Sequence, residues 1–178
     1  MASPLRIRSH GEPHGLLITW LGTYRAFTPK IVLGDSPTVR LDPDNEPQPD
    51  AVLFIPGRQA TIGVDDYIEG APELVVEIAA SSAAIDLYDK KRAYRRNGVQ
   101  EYLVWRTLEG QFDWFKLQAD EYVPLSPDEQ GVIRSQVFPG LWLAVAALLA
   151  GDMTVVLSTL QAGLASLDYQ EFKQTLQE

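Results

Sequence analysis

The chain contains no cysteine, which excludes disulfide bridges and thiolate chemistry and agrees with a reducing, cytoplasmic setting. Its longest apolar run, Leu141 to Ala150, falls well short of the roughly 20 residues needed to cross a bilayer. Met1 to Arg6 lacks the apolar centre of a secretion signal, so neither a membrane span nor export is expected. There is no internal repeat and no low-complexity tract. Positive charge is scarce too: a net charge of −9 and a pI near 4.7 count against broad electrostatic attachment to a polyanion. The basic residues present are concentrated, with Lys90, Lys91, Arg92, Arg95 and Arg96 on one short segment. Such a strip is usually a solvated face, but it can also meet phosphate.

What is abundant is ordinary globular material, 46% hydrophobic and 22% charged over 178 residues, enough for one domain spanning 1–178. Pro13 to about Ala26 reads as a helix, with Leu17, Trp20, Leu21 and Tyr24 at helical spacing. Extended segments are expected at Ile31–Leu33, Val39–Leu41, Asp50–Ile55 and Glu73–Ala79. Arg58 to Ala71 reads as a loop with short extended pieces. Ser81 and Ser82 offer caps for a helix from about Ala83 to Asn97, stopped by Gly98. Strands follow at Glu101–Arg106, Phe112–Lys116 and near Ile133–Val137. A helical tail from about residue 144 to 178 is capped by Asp152 and, in its last helix, by Asp168. Trp105, Trp114 and Trp142 read as core or interface, and the Leu141 to Ala150 run as interface material. Strands around a central helix with helices at both ends predict an α/β fold with a central mixed sheet.

Within Leu74-Val75-Val76-Glu77-Ile78-Ala79, Glu77 is the lone charge in a strand apolar on both faces. A carboxylate placed there neutralises or finds a cation. Asp50 and Lys90 are the natural partners. At about 100° per residue, Lys90 shares an arc with Asp86, Leu87, Tyr94 and Asn97, whereas Lys91 pairs with Arg95 and Arg92 with Arg96 in other sectors. Of the two adjacent lysines, Lys90 is therefore the one directed at the sheet. A purely structural Glu77–Lys90 ion pair is the competing reading. Tyr94 likewise suits core packing, and Asp86 a structural helix position. Ser81-Ser82 lacks a nucleophile motif. His10 and His14 stand four residues apart, but Gly11 and Pro13 between them argue against a shared helix and a metal role.

Pro49-Asp50, Glu77, Ser81-Ser82, Asp86-Leu87-Tyr88-Asp89-Lys90, Tyr94 and Gly98-Val99-Gln100-Glu101-Tyr102 together resemble the bacterial Uma-two restriction-endonuclease family, a branch of the PD-(D/E)XK nuclease superfamily. The resemblance implies a restriction-endonuclease-like core. It makes Asp50 and Glu77 metal-binding carboxylates, with the Ile78 backbone carbonyl as a further ligand. The superfamily places a lysine two residues after the acid, where this chain has Ala79; the resemblance implies that Lys90 on the following helix takes its place. Supporting roles fall to Glu12, Asp86 and Tyr94, and phosphate contacts to Lys91, Arg92, Arg95 and Arg96.

Phosphodiester hydrolysis needs an activated water and neutralisation of developing charge, which carboxylate-held Mg²⁺, or Mn²⁺ in its place, provides. A lysine can orient the water or stabilise the transition state. The expectation is thus a Mg²⁺-dependent endonuclease with nucleic acid as partner, DNA being favoured through the resemblance alone. A single acidic chain offers a small footprint, so a homodimer is expected. The alternative is a non-catalytic binding or scaffolding protein that keeps the fold.

Overall fold

The computed structural model describes residues 6–79 and 84–177, with the backbone alone for residues 84–86. A π-helical turn, Ile7–Gly11, runs directly into α1 (Glu12–Phe27), whose second residue Pro13 needs no intrahelical N–H partner. The chain continues through β1 (Val32–Asp35), β2 (Val39–Arg40), β3 (Ala51–Phe54), β4 (Ala60–Ile62), β5 (Ile68–Gly70) and β6 (Leu74–Ala79). It then forms α2 (Ala84–Arg96), β7 (Glu101–Arg106), β8 (Gln111–Gln118), β9 (Glu121–Pro124), β10 (Val132–Arg134) and β11 (Trp142–Ala144). Three helices close it: α3 (Val145–Leu149), α4 (Met153–Leu164) and α5 (Leu167–Thr175).

Six strands make the main sheet, in the order β1-β3-β6-β7-β8-β9. Only β6 and β7 in that sheet run parallel, so the connection between them must cross over, and α2 lies in it. The central strands are buried on both faces because each face has its own cover. Alternate residues Ala51, Leu53, Leu74, Val76, Ile78, Leu103 and Trp105 pack with Leu17, Trp20 and Tyr24 of α1 and with Val156 and Leu160 of α4. The opposite set, Val52, Phe54, Val75, Tyr102 and Val104, packs with Tyr94 of α2 and with the small sheet β2-β5-β4. Polar tips within the first layer are satisfied: the Trp20 indole N–H donates to the Trp142 carbonyl at 3.0 Å and the Tyr24 hydroxyl to Pro139 at 2.8 Å.

Gly98 ends α2 with φ of 82°, the left-handed conformation expected of a C-terminal glycine. Asp152 caps α4, its side chain accepting from the Val155 amide. The last helix departs from expectation: Ser166, not Asp168, is its cap, accepting from the Tyr169 amide and leaving Asp168 in the first turn. The short extended pieces expected within residues 58–71 are β4 and β5, whereas β9 and β11 have no counterpart in the sequence reading. The Leu141 to Ala150 run, expected as interface material, turns inward; Leu141, Leu143 and Leu148 are fully buried. Ser81 and Ser82 lie outside the described residues. Among those described, no helix is long and apolar enough to cross a membrane.

Candidate active site

The register of the central strands determines which side chains meet. Strands β3 and β6 pair antiparallel with Ala51 opposite Val76, and continuing that register by one residue sets Asp50 opposite Glu77. Glu77 is on the α2 face, since Val75, two residues away on β6, belongs to the layer that packs with α2. Val104, the neighbour of Glu77 on β7, belongs to it as well. Asp50 stands one residue before β3, and its carboxylate meets the Ile78 amide and His10. The register at the entry to β3 thus brings Asp50 close enough for its charge to act on Glu77.

Glu77 is 4% exposed. Its Oε2 accepts from the Lys90 ammonium at 3.0 Å, and its Oε1 accepts from the Tyr94 hydroxyl at 2.7 Å. Lys90 and Tyr94 are one helical turn apart on α2, which explains how both reach one carboxylate. Burial pushes the Glu77 pKa up; Lys90 and the Tyr94 hydrogen bond pull against that shift, while the charge of Asp50 adds to it. The Tyr94 phenol is raised by burial first and by the Glu77 charge second, so it remains a donor.

Asp50 is held from three directions. Its Oδ2 accepts from the Ile78 amide at 2.6 Å, its Oδ1 from His10 Nε2 at 2.8 Å, and its backbone carbonyl from His14 Nε2 at 2.9 Å. His14 Nε2 also lies 3.2 Å from Asp35 Oδ1. The expectation that Gly11 and Pro13 would separate the two histidines is therefore overturned. The π-helical turn and α1 are continuous, and the rings stand 5.7 Å apart. The four-residue spacing was the signal, and proline's tolerance in a first helical turn was the reason to trust it.

Other candidates lie elsewhere. Glu12 lines a separate cavity of about 250 Å³ with Arg8, Trp105 and Thr107, and is not brought to Asp50. The Asp86 side chain falls outside the described residues. Lys91 turns toward the β8 side, its Nζ 3.3 Å from the Phe115 ring centre, and burial lowers its pKa. Arg95 pairs with Glu121, and Arg96 with Asp42 at 3.0 Å. Arg92 sits 5.7 Å from the Tyr88 ring centre. With Asp89, Asp120 and Glu121, the three arginines border a hollow of about 470 Å³ on a side of α2 turned away from Glu77. Lys90 thus meets Glu77 on β6, but the expectation that it alone of the two lysines is directed at the sheet is corrected: Lys91 reaches β8 over Phe115, and the arginines are the part of the strip that faces away.

The donor set suits a hard cation, since Asp50, Glu77 and the Ile78 carbonyl offer only oxygen. Every carboxylate oxygen here already accepts one hydrogen bond, yet each has a second lone pair. No group of three or more His, Cys, Asp or Glu side chains in metal-holding proximity occurs among the described residues. Any cation would therefore draw on two carboxylates, backbone oxygen and water.

A mixed sheet covered by helices, with two neighbouring acids and a lysine, is a nuclease-like α/β architecture. The same fold occurs in a structure from Anabaena variabilis described as "a putative nuclease belonging to DUF820", with a TM-score of 0.64 and 12% identity over 84% of this chain and 85% of that one. Residues 1–146 match the family model described as "Uma2: Putative restriction endonuclease", and the chain belongs to that family. No match was found among curated proteins.

Proposed function

We propose that the protein is a Mg²⁺-dependent phosphodiester hydrolase acting on nucleic acid, with DNA the favoured substrate. The observation that carries this reading is that the Asp50 carboxylate accepts from the amide of Ile78, next to Glu77 on β6, with Lys90 3.0 Å from Glu77. Asp50, Glu77 and the Ile78 carbonyl would hold the cation, which supplies charge neutralisation and an acidified water when bound. Lys90 orients the attacking water or neutralises charge that develops on the phosphate. Tyr94 donates to Glu77 and restrains that carboxylate.

The test is a cleavage assay with Mg²⁺ or Mn²⁺ on single- and double-stranded DNA and RNA. Lys90→Ala should lose on the order of a hundred- to a thousandfold in rate, about 2.7–4 kcal/mol of transition-state stabilisation, while Lys91→Ala stays close to wild type. Mg²⁺ should raise the melting temperature of wild type but not of Glu77→Gln. Activity in Asp50→Ala equal to wild type would trace cleavage to a contaminant and end the assignment.

A non-catalytic scaffold is the second reading. It is favoured by the net charge of −9 and by carboxylate partners on Arg95 and Arg96. That reading expects nucleic-acid or protein binding without turnover, and no Mg²⁺ response.

A further inference from the structure

His10 in the π-helical turn and His14 in the first turn of α1 take no part in the chemistry proposed above, yet both touch Asp50, and His14 reaches Asp35 of β1 as well. We infer that His10 is a positioning residue for Asp50, fixing the carboxylate so that its remaining lone pairs face the cation, while His14 fixes the main chain of the same residue. The inference rests on the metal-site reading of Asp50 and Glu77.

The acceptors dictate the protonation pattern of the rings. A carboxylate oxygen and a backbone carbonyl only accept, so a neutral His10 and a neutral His14 must each carry the proton on Nε2. The other nitrogen of His10, Nδ1, is buried and has no hydrogen-bond partner among the described residues, so among them the ring's polar commitment is to Asp50. His10 and Asp50 side chains are 14% and 16% exposed, which limits competition from water. The Ile78 amide takes the second oxygen of the same carboxylate. One donor from β6 and one from the helix start thus constrain a side chain that would otherwise rotate about two bonds. Donors behind a ligating carboxylate set its direction and its affinity for metal.

Geometry also supplies the discriminating substitutions. The amide nitrogen of glutamine lies as many bonds from Cα as histidine Nε2, whereas that of asparagine matches Nδ1 and falls short of Asp50. His10→Gln should therefore preserve the contact and His10→Asn should lose it. Calorimetric titration of metal-free protein with Mn²⁺ reads the effect without any turnover. The expected result is a 10–100-fold weaker affinity in His10→Asn, near-wild-type affinity in His10→Gln, and no binding in Asp50→Ala, with all variants melting cooperatively in the absence of metal. Wild-type binding that Asp50→Ala abolishes but His10→Asn leaves unchanged overturns the positioning role alone. Equal losses in His10→Asn and His10→Gln overturn it too, by making the imidazole itself a ligand. If wild type binds no Mn²⁺, the metal reading fails and the inference falls with it.

Discussion

Replacing Lys90 by methionine keeps the length and apolar stem of the side chain while deleting the ammonium 3.0 Å from Glu77. The Glu77 side chain is 5% exposed and that of Lys90 29%, so the acid depends on the pair more than the base does. Removing one partner of a fully buried pair costs about 3–5 kcal/mol. Here the Tyr94 hydrogen bond remains, Lys90 was partly solvated, and Glu77 can escape by taking a proton, so the loss should be smaller, about 1–3 kcal/mol. For a chain of this size that corresponds to a fall of roughly 3–9 °C in Tm. Lys91→Met provides the internal control. Its ammonium lies over Phe115 but is disfavoured by burial, and a methionine sulfur makes its own contact with the ring, so the change should be within about 0.5 kcal/mol. Urea unfolding followed by tryptophan fluorescence, with Glu77→Gln and the double variant completing a cycle, measures the coupling. Equal losses in the two lysine variants, or no coupling between positions 77 and 90, would refute the assignment of Lys90 to the sheet.

Two further expectations concern the scaffold. A Cβ added at Gly163 would stand 2.2 Å from the Gly140 carbonyl oxygen and 2.8 Å from the Trp142 ring, so Gly163→Ala should destabilise by about 1–3 kcal/mol or more; Gly15→Ala, in open space on α1, should instead stabilise by about 0.5–1 kcal/mol, both read by thermal melts. Burial raises the pKa of Glu101 above its unfolded value, so its contribution is fully present below the unfolded pKa and declines as pH rises through the folded one; stability measured from acid to neutral pH should fall in wild type relative to Glu101→Gln, and parallel profiles would refute this.

Glu77 is legible because a lone carboxylate in an apolar strand calls for a cation, and Lys90 because it shares an arc with Leu87 and Tyr94; the arc does not foretell Lys91 over Phe115. The Lys90–Glu77 pair follows from those local rules, whereas the Tyr94 bond to Glu77 emerges only from the folded helix. The antiparallel alignment of Asp50 with Glu77 does not follow from them either, since register is a property of two segments 27 residues apart. Strands β4 and β5 are legible only as short extended pieces within Arg58–Ala71: three residues carry little pattern of their own, and β5 is defined by its pairing with β2 and β4. The apolar run from Leu141 conceals a strand-to-helix change between Ala144 and Val145, with no glycine, proline or capping side chain to mark it. Ser166 and Asp168 are both competent caps, and only the docked helix distinguishes them. Glu101 gave no sign of its buried role, because its donors come from the indole of Trp114 and from Ser135 and Gln136 on a later turn.

The carboxylate partners of Arg95 and Arg96 bear on how this face would answer to salt. When a bare arginine meets a phosphate, the polyanion sheds a condensed counterion, and binding weakens steeply as salt rises. Here each phosphate must first displace Glu121 or Asp42, and the carboxylate left behind recruits a cation of its own. The release is largely cancelled. A logarithmic plot of affinity against salt should therefore be flatter than the number of basic side chains on α2 would suggest.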